Sequence, residues 1–83
     1  MLDNKHCWGD HYRNFSTIQS AKDACSNDAN CQGVYDQGCD AEAEDIYLCR
    51  ISATYSDSSS SCIFQKNENG KYFKSFYFIE TLY

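Results

Sequence analysis

The chain lacks proline and any visible internal repeat, and no stretch approaches the roughly 18 apolar residues that a membrane-spanning helix needs. A membrane-inserted helix is therefore not expected. The first ten residues carry charges and no apolar run, so they do not read as a secretory signal peptide. The chain reads instead as a mature domain, or as a piece of a larger secreted protein. Neither G-x-S-x-G nor H-E-x-x-H occurs, which removes the two commonest local signatures of extracellular hydrolases. Positive charge is scarce in the middle: Asp36, Asp40, Glu42, Glu44, Asp45 and Asp57 face only Arg50 between residues 36 and 57. Such a stretch repels phosphate backbones and anionic lipid surfaces, so neither nucleic acid nor membrane is an expected partner.

What the chain does have is six cysteines in 83 residues. So short a chain has a thin core, and ordering it costs roughly 1.5 kcal/mol per residue, which apolar burial only about matches. A staple is expected, and an even set of cysteines supplies one outside the reducing cytosol. A zinc site is the competing use. However, Cys7, Cys25, Cys31, Cys39, Cys49 and Cys62 form no C-x2-C or C-x4-C knuckle. The expectation is a single secreted domain held by three disulfides, out of fifteen possible connectivities.

Apolar Ile18, Ala21 and Cys25 recur at helical spacing, and Ser16 with Gln19 three residues later matches a capping box, so a helix is expected over residues 16–26. Asn27, Asp28 and Asn30 end it. Residues 31–35 read as a strand whose Gly33 implies close approach of other atoms, Asp36-Gln37-Gly38 as a turn, and residues 46–51 as a second strand. The serine-rich residues 56–61 read as a solvated connection, and residues 62–65 as a strand. Asn69-Gly70 is a hairpin signal. It leads into an aromatic strand over 72–79 with Tyr72, Phe76 and Phe78 on one face and Phe73, Tyr77 and Ile79 on the other.

The pattern Ala21-x3-Cys25-x5-Cys31-Gln-Gly-Val-Tyr35, then Tyr47-Leu-Cys49, then Ser61-Cys62-Ile-Phe-Gln-Lys66 resembles the PAN/Apple superfamily of extracellular modules in its short invertebrate form. The likeness runs over about residues 7–79. It implies an α+β fold with one helix cradled by a curled antiparallel sheet, a disulfide joining the termini of the domain, and a non-catalytic role in binding protein or carbohydrate. Many Apple modules carry a further helix cysteine where Ala21 stands here, so the family's bridge from helix to sheet cannot be copied unchanged. The family spacing then favours Cys7–Cys62, Cys25–Cys31 and Cys39–Cys49. The rival set pairs Cys25 with Cys49 and Cys31 with Cys39.

The candidate chemistry is modest. His6 and His11 flank Asp10, but without a nucleophile motif they read as surface histidines. Five carboxylates between residues 36 and 45 could collect a hard cation, with Asp36, Asp40 and Asp45 as first ligands, although the order is not that of an EF-hand and a solvated acidic loop is the plainer reading. Aromatic side chains with polar tips suit recognition surfaces. Trp8, Tyr12, Tyr35, Tyr47 and Tyr55 are therefore the candidate ligand-binding residues, joined by Asp36 beside the acidic loop, while Phe64, Phe73, Phe76 and Phe78 are assigned to the core. Asn14-Phe15-Ser16 is a glycosylation sequon. The expected function is a secreted, cofactor-free binding module for an extracellular protein or glycan, either within a larger secreted protein or as a small monomer. The alternative is a free-standing inhibitor or toxin-like effector.

Overall fold

Residues 1–66 are described by the structure, a computed structural model. The Asn69-Gly70 hairpin and the aromatic strand at 72–79, with the core assignment of Phe73, Phe76 and Phe78, lie outside the described residues. Within them the order is β1 (Leu2–His6), β2 (His11–Phe15), α1 (Ile18–Ser26), β3 (Cys31–Asp36), a 3-10 turn (Gln37–Cys39), β4 (Ile46–Arg50) and β5 (Ser56–Gln65). The five strands form one antiparallel sheet in the order β1-β5-β3-β4-β2. A helix on a small, disulfide-stapled antiparallel sheet is the α+β class that the resemblance implies.

Helix α1 starts one residue later than the capping-box reading places it. Thr17, not Ser16, is the N-cap: its hydroxyl accepts from the Ser20 backbone N–H at 3.0 Å, satisfying one of the free donors of the first turn. Gln19 does not reach back; it donates to Asp23 one turn on, at 3.0 Å. Ala21 and Cys25 face inward at 0% exposure and meet Val34, Ile46 and Leu48 of the sheet. At the far end the Asn27 side chain donates to the Asp23 carbonyl, using up one of the carbonyls that the last turn leaves unpaired.

Two other expectations are corrected. Residues 56–61 are not a free connection but the first half of β5, because His6 pairs with Ser56 and Lys5 with Asp57 on the adjacent edge strand. The register then slips between Asp3, opposite Cys62, and Lys5, so the central serines bulge outward, and Ser58 Oγ accepts from the N–H groups of Ser60 and Ser61. In addition, β1 and β2 are strands that neither propensity nor alternation announces. Asn4 and Arg13, inside them, sit at φ of 61° and 60°, where the ladders are irregular.

Gly33 behaves as its position implies. A Cβ built there would lie 2.9 Å from the Phe64 carbonyl oxygen and 3.1 Å from the Tyr55 hydroxyl. Only a residue without a side chain lets β5 and Tyr55 close over β3 at this point.

Candidate functional site

The two sides of the sheet differ in what covers them. Along β4, Ile46 and Leu48 pack with the helix, while Tyr47 and Cys49 group with Cys7, Tyr35, Ile63 and Tyr55 on the other side. That second side has no helix over it among the described residues. It is crossed instead by the short connection from β1 to β2, which has to join the two opposite edges of the sheet. The connection is a tight turn: the Asp10 N–H donates to the Cys7 carbonyl at 2.9 Å, and Gly9 takes a φ of 100°, in the left-handed region that favours glycine.

This turn carries Trp8 into the open. The residue is 57% exposed, although tryptophan is usually covered. The indole stacks on the His11 imidazole, with centroids 4.0 Å apart and planes within 20°. It meets Tyr35 and Tyr47 edge-on at 6.4 and 6.3 Å. His11 in turn stands edge-on to Tyr47 at 4.8 Å, and Tyr35 and Tyr47 lie 5.7 Å apart. Edge-to-face and offset arrangements are those that aromatic quadrupoles favour, so the rings support one another in fixed positions. The two histidines also brace the turn: His6 Nδ1 accepts from the Trp8 N–H at 2.9 Å and His11 Nδ1 from the Gly9 N–H at 3.2 Å. Both bonds need an unprotonated Nδ1. Burial also pushes the His11 pKa below its ordinary value, in the same direction.

The candidate binding residues thus divide. Trp8 and Tyr47 are together at the surface patch. Tyr35 supports the patch from below, at 2% exposure, so it is a core residue and not a surface one; burial raises its pKa, with the Ser61 hydroxyl beside it acting the other way. Tyr55 is half-buried with its hydroxyl turned inward, without a hydrogen-bond partner among the described residues, and burial pushes its pKa up to about 12. Tyr12 belongs to the opposite side, against the helix-covered core. Its hydroxyl donates to Asp28 at 2.8 Å, the Arg50 guanidinium lies 4.5 Å from its ring centre, and burial with the Asp28 bond raises its pKa to about 12. The residues that sequence reasoning missed are His6 and His11. Their placement on either side of a Trp-Gly turn was the available signal.

Asp36 is not at the patch either. It is buried to 2% at the end of β3, where its Oδ2 accepts from the Ala41 N–H at 3.0 Å and its Oδ1 has no partner among the described residues. Burial raises its pKa, the backbone N–H groups of Ala41 and Asp40 oppose the rise, and the charges of Asp40 and Asp45 add to it. The calcium grouping Asp36, Asp40 and Asp45 is not assembled. Among the described residues, the one group of three potential ligand atoms within 4.8 Å is Asp36 with Cys39 and Cys62, and those sulfurs are bonded to each other. Asn14 is exposed on the edge strand β2, but its Nδ2 donates to the Glu44 and Ile46 carbonyls at 2.7 and 3.4 Å. A glycan there would displace at least one of these bonds.

All six cysteines are paired, as Cys7–Cys49, Cys25–Cys31 and Cys39–Cys62. Cys7–Cys62 and Cys39–Cys49 are therefore corrected, and so is the rival set with Cys25–Cys49 and Cys31–Cys39. The strand register explains the exchange. Pairing Asp36 with Cys62 sets Cys62 beside the 3-10 turn that holds Cys39, while Cys49 projects to the side that the β1–β2 connection crosses, where Cys7 lies. The same projection takes Cys49 away from the helix cysteine, Cys25.

These features define a small, disulfide-stapled α+β protein with an aromatic patch on the side of its sheet opposite the helix. No family model, curated protein or solved structure matches the chain.

Proposed function

We propose that this is a secreted, non-catalytic recognition module of PAN/Apple-like type, which binds an extracellular protein or carbohydrate through the patch around Trp8. The observation that carries the reading is Trp8, 57% exposed, its indole fixed by stacking on His11 and standing edge-on to Tyr35 and Tyr47. A rigid aromatic face offers large contact area at low entropic cost, and an open indole face also suits the C–H side of a sugar ring. Three disulfides in so small a body favour an oxidising, extracellular setting. The single described helix on an antiparallel sheet supports the PAN/Apple comparison, whereas the departure of Cys7 from Cys62 weighs against the terminal bridge that the comparison implies.

The test is a glycan array, together with a panel of immobilised extracellular matrix proteins, probed with the full chain. Saturable binding to one class is expected, reduced at least tenfold in Trp8→Ala and unchanged in Tyr12→Phe, which alters the opposite side. Trp8→Ala should cost less than about 1 kcal/mol of stability, because the indole is mostly exposed. The proposal fails if neither probe set binds saturably, or if the Tyr12 and Trp8 variants behave alike.

A further inference from the structure

The three disulfides are not equally accessible. Cys7, Cys25, Cys31 and Cys49 are 0–1% exposed, as is Cys62, but Cys39 is exposed in the turn after β3. Thiol–disulfide exchange requires a thiolate to reach one sulfur of the bond, so access alone singles out Cys39. The surroundings of that bond are also unusual. A carboxylate oxygen of Asp36 and the sulfurs of Cys39 and Cys62 all lie within 4.8 Å of one another. Among the described residues no donor is hydrogen-bonded to Asp36 Oδ1, a buried acceptor, a condition that folded proteins rarely tolerate. A disulfide has no hydrogen to offer this oxygen. A dithiol does, because each S–H is a donor.

We propose that Cys39–Cys62 is a site of thiol–disulfide exchange, opened by an external thiol while the other two bridges stay closed, and that Asp36 holds the reduced form by accepting the S–H of Cys62. An incoming thiolate attacks Cys39 Sγ and forms a mixed disulfide. The bond between Cys39 and Cys62 breaks, and Cys62 leaves as a thiolate, takes a proton from water and donates its S–H to Asp36 Oδ1. A second external thiolate attacks the external sulfur of the mixed disulfide, releasing the oxidised disulfide of the reagent and leaving Cys39 as a thiolate that is then protonated. Two external thiols lose two electrons and the protein gains them. Burial and the nearby charges of Asp40 and Asp45 raise the Asp36 pKa. Opening the bond releases the acidic turn from β5 and leaves the β3–β4 and β3–β5 pairing intact.

The experiment is graded reduction of the native full chain with dithiothreitol, trapping of the thiols formed with excess iodoacetamide under denaturing conditions, and peptide mapping by mass spectrometry. Labels are expected on Cys39 and Cys62 while the other four cysteines stay unlabelled, at a rate proportional to reductant concentration. Simultaneous opening of all three bridges, or a rate independent of reductant, would overturn the proposal. In Asp36→Asn the amide carbonyl is needed by the Ala41 N–H, which puts an NH₂ donor in the place of Oδ1. The equilibrium should therefore shift toward the disulfide about tenfold, with the Cys7–Cys49 equilibrium unmoved. An unchanged Cys39–Cys62 equilibrium removes Asp36 from the proposal. Reaction of the unaltered protein with oxidised glutathione after mild reduction needs no variant: the mixed disulfide is expected on Cys39, and adducts mainly on any other cysteine count against the site.

Discussion

The two sides of the β-sheet are built from alternate residues of the same strands, yet they solve different problems. Val34, Ile46 and Leu48 meet Ala21 and Cys25 of the helix in a closed aliphatic layer, with Cys25–Cys31 as a local clip of sequence separation 6. Tyr35, Tyr47 and Cys49 meet a four-residue connection instead of a helix, and the bridge there, Cys7–Cys49, spans 42 residues. One side is held by buried methyl groups. The other is held by a long covalent tether and by ring contacts that leave Trp8 in the open, which is why the proposed binding surface is placed on the second side.

The sharpest way to break this comparison is through the bridges. Replacing Cys7 and Cys49 together by Ser should cost about 4 kcal/mol, against about 2 kcal/mol for Cys25 and Cys31, since the loop-closure entropy grows with the number of residues enclosed. Urea denaturation of both double variants measures it, and equal losses would mean that the open side does not depend on its tether. Next in size is the contrast between neighbours on β4. Leu48→Ala, which hollows the helix-covered side, should cost about 3 kcal/mol. Tyr47→Ala, half-buried among rings, should cost roughly half as much. The same melts decide, and a reversed order would make the aromatic side the true core.

The smallest expected effect is on acidification. The ordinary histidine value is 6.5, and the folded value for His11 lies below it. The unfolded chain then binds the proton more readily, so stability is complete above about pH 6.5 and declines as the pH falls between the unfolded and folded values. Because Trp8 is the only tryptophan and stacks on His11, its fluorescence reports the titration directly, since an imidazolium quenches indole emission. A quenching midpoint below 6.5 is expected, and a midpoint above it would show that the stack prefers the charged ring.

Several elements could be read without coordinates because their causes are local. Ile18, Ala21 and Cys25 announce the helix by spacing, and Gly33 announces a close approach that the Phe64 carbonyl and Tyr55 hydroxyl fill. The cap lies one residue beyond the expected Ser16 because Ser16 and Thr17 offer the same hydroxyl chemistry, and only the chain's direction of entry chooses Thr17. Leu2–His6 and His11–Phe15 carry no alternation, since edge strands acquire their conformation by pairing with β5 and β4 and not from their own side chains. Of the five aromatic candidates at the site, Trp8 and Tyr47 reach the patch surface and Tyr35 lies beneath it; Tyr55 shares that side but turns its hydroxyl inward toward Gly33, and Tyr12 is held on the other side by Asp28.

Composition and periodicity suffice to show that a thin-cored, cysteine-rich body needs sulfur bridges and carries one helix and short strands, because they act within a few residues of their cause. Tertiary structure alone decided which sulfurs meet and which rings share a surface. Those depend on strand register across the sheet: the pairing of Asp36 with Cys62 brings Cys39 to its partner, and the crossing of residues 7–10 between opposite edges brings Trp8 to Tyr35 and Tyr47.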